Sequence, residues 1–211
     1  NEDIIIYADE SRTTELARWV GLRQQHKQPQ GRFNMALADF VGKRDYVGAF
    51  AVTAGHRIDD RVAAFEAAND DYSAIMLKAL ADRLAEAAAE WLHLQVRTHF
   101  WGYANAETLT NDELIAEQYK GIRPAPGYPA CPDHTAKRDL FALLDAPHNA
   151  GMHLTESCAM MPAASVSGFF ISHPASSYFA IPKIGRDQLE DWAKRKNMPT
   201  KDAEYWLAPL L

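Results

Sequence analysis

Two cysteines in 211 residues, Cys131 and Cys158, are too few for a disulfide framework. The shortage fits a reducing compartment, and a cytoplasmic location is expected from it. Long apolar runs are missing too. None approaches the roughly 18 residues of a membrane-spanning helix, and Asn1-Glu2-Asp3 does not open a signal peptide. Positive charge is in deficit, with 22 Lys and Arg against 28 Asp and Glu, so the chain carries a formal −6. That balance argues against nucleic acid or an anionic membrane, which usually demand a basic face, and neither is expected as a partner. A phosphate loop is absent, because neither Gly121 nor Gly127 is followed by Lys-Ser or Lys-Thr. That removes support for nucleoside triphosphate hydrolysis. No initiator Met is present either, from which a processed or excised piece is expected.

With 47% hydrophobic residues, the chain has enough apolar side chains for one sizeable core. Periodicity predicts a strand at 4–7, an amphipathic helix over 13–25, and strands at 36–41 and 46–53. A short helix follows at 61–68, and then the longest helical pattern, from about Asp70 to Thr98, free of Gly and Pro. Its apolar stripe reads Tyr72, Met76, Ala79, Leu80, Leu84, Ala87, Trp91 and Leu94. Thr110-Asn111-Asp112-Glu113 is a capping box opening a helix that is expected to run to Lys120-Gly121. After a helix at 137–144, strands are predicted at 153–160, 165–172 and 178–183, in the manner of an antiparallel meander. Helices from Asp187 to a basic turn at Lys194-Arg195-Lys196, and from Thr200 to Leu207, close the chain. The fold class is a single α+β domain with a mainly antiparallel sheet packed against long helices. The apolar strand at 4–7 is expected to show an unpaired edge or to lean on another segment.

The richest stretch is Gly121-Ile122-Arg123-Pro124-Ala125-Pro126-Gly127-Tyr128-Pro129-Ala130-Cys131-Pro132-Asp133-His134. Four prolines fix φ and delete N–H donors, so it is a stiff loop rather than a helix or central strand. Arg123 offers a planar fork for a carboxylate, Gly127 allows close backbone approach, and Tyr128 adds a flat face. A P-x-x-P recognition segment and an ordinary packed loop remain alternatives on pattern alone.

This loop, together with Asp45-Tyr46-Val47-Gly48-Ala49-Phe50-Ala51-Val52-Thr53, Lys78-Ala79-Leu80-Ala81-Asp82-Arg83-Leu84-Ala85-Glu86-Ala87, Leu154-Thr155-Glu156-Ser157, Ser165-Val166-Ser167-Gly168 and Trp206-Leu207-Ala208-Pro209, resembles the activation domain of cobalamin-dependent methionine synthase. The likeness runs in order along nearly the whole chain. It implies an S-adenosylmethionine site in which Arg-x-x-x-Gly-Tyr is the ligand motif. Arg123 would hold the methionyl carboxylate, Glu86 the ammonium group, and Tyr178 with Phe179 an aromatic side of the site. Ala125, Gly127 and Tyr128 would act through backbone and shape. Away from the resemblance, Glu86 reads as a solvated helix residue, Arg123 as a surface or salt-bridged arginine, and one of Tyr178 and Phe179 as core.

The resemblance further implies a role in reductive methylation of inactive cob(II)alamin held by a neighbouring cobalamin-binding domain, with a flavodoxin-like reductant. This belongs to methionine biosynthesis by a methyltransferase. Positioning rather than acid–base chemistry is the task, so no catalytic residue is assigned. Residues 1–211 would form the activation domain without its N-terminal part, where the family places an Asp-Trp element, and the fragment alone is not expected to be catalytically complete. A module that binds S-adenosylmethionine or docks a partner without transfer is the alternative. No metal site is expected, since Cys131-Pro132-Asp133-His134 has no second half. Cys158 beside His153 and Glu156 reads as a small buried hydrophobe.

Overall fold

The β-branched run near the start forms strand β1 (Ile4–Tyr7), paired antiparallel with β2 (Glu15–Trp19) so that Ile4 faces Trp19. The helix expected over 13–25 is therefore replaced by a strand. Thr13, Thr14 and Gly21 are weak helix formers, and the adjacent isoleucine strand satisfies this backbone in extended form. The computed structural model describes residues 2–211. Within them β1 and β2 form a two-stranded ladder, so the other edge of β1 has no ladder partner among the described residues. The strand expected at 36–41 is a single 3-10 turn, Leu37–Phe40. Asp39 ties that turn down, accepting from the Ala36 amide at 2.9 Å and from both Arg23 terminal nitrogens at 2.7 Å.

Strand β3 (Gly48–Thr53) leads to α1 (Ile58–Ala67) and then α2 (Asp71–Gln95), whose first turn is capped by Asp70 accepting from the Ser73 amide at 3.0 Å. The stripe read along α2 is not the buried one. Tyr72, Leu84 and Trp91 are 73%, 63% and 60% exposed, whereas Ala74, Ala81, Ala85, Ala89 and His93 are buried. The reason is close approach: α2 lies on β3 and a later strand, where Phe50 and Phe170 stack at 4.7 Å and fill the volume under Ala89. Alanine on the helix leaves room for aromatics from the sheet. At its end α2 widens into one π-type turn, Val96–Phe100.

The capping box forms as read, with Thr110 and Glu113 exchanging hydrogen bonds, but α3 (Asn111–Ile115) stops well before Gly121. Beyond α4 (Ala136–Leu144) and α5 (Ala146–Ala150), the expected meander does not form. β4 (His153–Leu154) and β5 (Met160–Met161) make a minimal hairpin, while β6 (Ser165–Phe170) pairs antiparallel with β3, Gly48 facing Phe170 and Thr53 facing Ser165. The segment 178–183 joins no ladder. Pro182 has no N–H to give, and the stretch is held by single bonds, Gln24 Nε2 to the Ala180 carbonyl at 2.7 Å and the Ile181 amide to the Pro129 carbonyl at 2.9 Å. The chain ends in α6 (Arg186–Arg195) and α7 (Thr200–Trp206). The architecture is thus α+β with every ladder antiparallel, as read, although only α2 is long.

Two large apolar clusters hold these parts. In one, Trp19 stacks on Phe169 at 3.9 Å, welding the β1–β2 hairpin to β6, with Ile122 and Leu140 beside them. In the other, Trp192 and Leu189 of α6 and Leu207 pack against Val20, Leu22, Ile181 and Ile184. Gly168 of β6 sits where layers meet: a Cβ there would lie 2.6 Å from the Pro124 carbonyl oxygen and 3.0 Å from Phe50 Cε1. Gly168→Ala is predicted to cost about 1–3 kcal/mol by overpacking, lowering the melting temperature by several degrees. Scanning calorimetry that finds an unchanged melting temperature would contradict this close packing.

Candidate functional site

The proline-rich loop is built onto the sheet by its backbone. Ile122 and Ile171 exchange two hydrogen bonds at 2.9 Å, and the Phe169 amide donates to the Pro124 carbonyl at 2.9 Å. Residues 122–124 thus run along the edge of β6 that β3 leaves open. Pro124 joins through its carbonyl alone, so its missing N–H costs nothing there. Beyond it the loop closes on itself, with the Gly127 amide donating to the Cys131 carbonyl at 2.7 Å and the Tyr128 amide to the Ala125 carbonyl at 3.2 Å. Gly127 has φ of +96°, and a Cβ on it would lie 2.4 Å from His134 Cε1. Internal packing therefore already demands glycine, beyond any need for ligand approach.

This anchoring sets Arg123 at the rim, half-buried between α2 and the segment after β6. Its backbone amide donates to the Tyr178 hydroxyl at 3.0 Å. Its Nη1 donates to the Tyr119 hydroxyl at 3.1 Å and lies 3.4 Å from His93 Nδ1, and its Nη2 pairs with Glu90. None of these bonds uses Nε. Behind Arg123 stands a second guanidinium, Arg97, in the π-type turn and fully buried. It forms a bidentate pair with Glu107, at 2.7 to 3.1 Å, and its guanidinium carbon lies 4.3 Å from the centre of the Tyr119 ring. Arg97 Nη1 finds no acceptor among the described residues, a loss that the ring face offsets in part.

Burial, then the charges of Arg97 and Arg123, push the His93 imidazole down to about 2, so it is neutral at any ordinary pH. Burial also raises the Tyr103 phenol to about 12 and lifts Tyr119 further, with help from the neighbouring Tyr178 hydroxyl. Both phenols stay protonated, as donors and acceptors rather than bases.

Of the residues singled out in the sequence, Arg123 and Tyr178 are joined directly. Ala125, Gly127 and Tyr128 share the anchored loop, with Tyr128 exposed. Glu86 projects from α2 one turn before Glu90, the same face, but its carboxylate is exposed and pairs with Arg83 rather than Arg123. Phe179 packs against both large clusters, tilted on Phe40 at 6.4 Å, and is the core member of its pair. Sequence reading missed Glu90, His93, Arg97 and Tyr119. A signal existed: Ala81, Ala85, Ala89, His93 and Arg97 recur at a strict spacing of four, so the buried small-residue face ends in two polar groups.

The arrangement offers a cation whose Nε is not used in these bonds, carboxylates on one helix face, and phenol rings between them. Such a set suits a zwitterion with a flat or cationic remainder. Over residues 1–197 the sequence matches the family described as vitamin B12 dependent methionine synthase, activation domain. The chain belongs to this family. Among solved structures, the crystal structure of the MetH reactivation domain bound to AdoHcy is similar to it over 100% of this chain and 66% of that one, with 56% sequence identity and a TM-score of 0.96. The chain therefore spans just under two thirds of that relative's length. Among the described residues of this activation domain, no helix is long and apolar enough to cross a membrane.

The neutral His93 gives the activation domain a signature in acid. In the unfolded chain the imidazole protonates near pH 6.5, while in the fold it does not, so its contribution is intact above that pH and is lost as pH falls below it. Between about pH 6 and 5, stability should drop by up to about 1.4 kcal/mol per pH unit from this group. His93→Gln should flatten that slope in urea titrations. An unchanged slope in the variant would show that His93 is not held neutral.

Proposed function

We propose that this activation domain binds S-adenosylmethionine at the Arg123 rim and presents it for reductive methylation of oxidised cobalamin. The observation that carries the reading is the pairing of Arg123 with Tyr178 on a loop fixed to β6, beside the carboxylate face of α2. It is supported by the relative with AdoHcy, the demethylated counterpart of this ligand, at 56% identity. In this reading Arg123 takes the methionyl carboxylate through its Nε–H, and Glu86 takes the ammonium group once it leaves Arg83. Tyr178 lends its ring to the sulfonium, a contact of about 0.5–2 kcal/mol. Ala125, Gly127 and Tyr128 shape the floor through the backbone. Phe179 supports Tyr178 from the core side.

The ligand's sulfonium supplies an already activated methyl group. The domain's own contribution is orientation and exclusion of water, and no general acid or base is assigned. Residues 1–211 act in this reading as one unit of a cytoplasmic methyltransferase. Cobalamin is held by a neighbouring domain of that enzyme, and the electron comes from a flavodoxin-like protein.

Arg123→Ala should weaken S-adenosylmethionine binding by about 1.5–3 kcal/mol, roughly 10- to 150-fold, because a charge-assisted contact is lost. Methylthioadenosine, which lacks the amino-acid portion, should bind wild type and variant alike. Calorimetric titration decides the matter, and equal S-adenosylmethionine affinity for the two proteins, with the fold intact, would overturn the assignment of Arg123.

A further inference from the structure

We infer that His93 is a positioning residue of this site: through Nδ1 it accepts a hydrogen bond from Arg123 and thereby sets which edge of the guanidinium faces the ligand's carboxylate. The inference rests on the reading of Arg123 given above, and it reaches a residue that touches no ligand.

The tautomer follows from the partners. Arg123 Nη1, 3.4 Å from Nδ1, is only ever a donor, so Nδ1 must carry the lone pair. Nε2 then carries the proton and points at the Tyr103 hydroxyl, also 3.4 Å away, which accepts it. The ring has no freedom to turn away. It stacks on Phe170 at 5.2 Å with an interplanar angle of 18°, and Tyr119 meets it edge-on at 4.9 Å. Phe170 is itself stacked on Phe50, so the sheet orients the imidazole.

Every group that faces His93 favours the neutral ring. Arg97 one turn on along the helix and Arg123 from the loop are both cations, Tyr103 and Tyr119 are protonated phenols, and Phe170 of β6 is apolar. The nearby carboxylates are already engaged, Glu90 by Arg123 and Glu107 by Arg97. With Tyr119 and His93 both accepting from Nη1, and Glu90 from Nη2, the donor left over is Nε–H. A histidine here does what neither lysine nor phenylalanine could, accepting from one arginine without adding charge beside two.

The test compares S-adenosylmethionine with methylthioadenosine on wild type, His93→Phe and His93→Asn, the last keeping an acceptor near the Nδ1 position. His93→Phe should lose about tenfold in S-adenosylmethionine affinity and nothing for methylthioadenosine, and His93→Asn should recover most of the loss. Equal loss for both ligands, or no rescue by asparagine, would make His93 merely structural. A ligand-free arm separates this inference from the reading it rests on. In the wild-type chain, nitrogen NMR of the imidazole should show the Nε2–H tautomer without titration from pH 7.5 to 5, and Arg123→Lys should shift the Nδ1 resonance. An Nδ1–H tautomer, or a Nδ1 signal indifferent to residue 123, would overturn the inference even if S-adenosylmethionine binds. Failure of wild type to bind S-adenosylmethionine would overturn the proposed function and this positioning role together, leaving the NMR arm to report on the Arg123 contact alone.

Discussion

Strand β6 has both hydrogen-bonding edges engaged, β3 on one side and the Ile122 to Pro124 backbone on the other, and the geometry of the site descends from that arrangement. A loop carrying four prolines has few amides to donate, so beyond the turn it closes on itself at Gly127 and Tyr128 it takes its order from a strand that offers both amide and carbonyl groups. Each backbone bond contributes only about 0.5–1.5 kcal/mol net. Their value is directional, because they fix the Cα of Arg123 relative to Phe169, Phe170 and Ile171, and those residues are buried among aromatics that do not move independently.

From that anchor two layers meet at the rim. On one side α2 presents alanine at every fourth position, which lets the helix sit close to Phe50 and Phe170. Close seating in turn carries the end of the helix, with Glu90, His93 and Arg97, over the loop. On the other side the extended stretch after β6 brings Tyr178 to the Arg123 amide, tied back by the Ile181 bond to Pro129. A larger residue at Ala89 would separate these layers, since interiors at crystal-like density have no slack for added methylenes.

Much of this could be read from residues alone. The glycine- and proline-free run gave α2, Asp70 and Thr110 gave its and α3's starts, and the proline string gave the loop. Residues 13–25 misled because a short amphipathic pattern also fits a strand when a neighbouring strand stands ready to pair, and pairing is non-local information. The α2 stripe misled because bulky side chains were assumed to mark the inside, whereas the sheet supplies the bulk and the helix supplies the space. Resemblance picked out Glu86 for a ligand's ammonium group, and Glu90, one helical turn further on, carried no signal of its own as a partner of Arg123. In this structure the one in contact is Glu90.

The two arginines explain why the cluster is polar at all. Burying Arg97 completely would be prohibitive without an anion, and Glu107 supplies it with two-nitrogen geometry that a lysine could not match. Tyr119 then serves both cations, its ring face toward Arg97 and its hydroxyl toward Arg123. Arg97 is therefore a fixed positive charge, paired on one side by Glu107 yet still felt by His93, while Arg123, partly exposed and paired with the half-exposed Glu90, keeps a charge that a second anion can still reach. Removing Glu107 would leave the inner charge unpaired, set it against the outer one across a neutral ring, and loosen the contact by which Tyr119 holds Arg123. The pair is thus part of the rim's geometry even though Arg97 is fully buried and the Glu107 side chain nearly so.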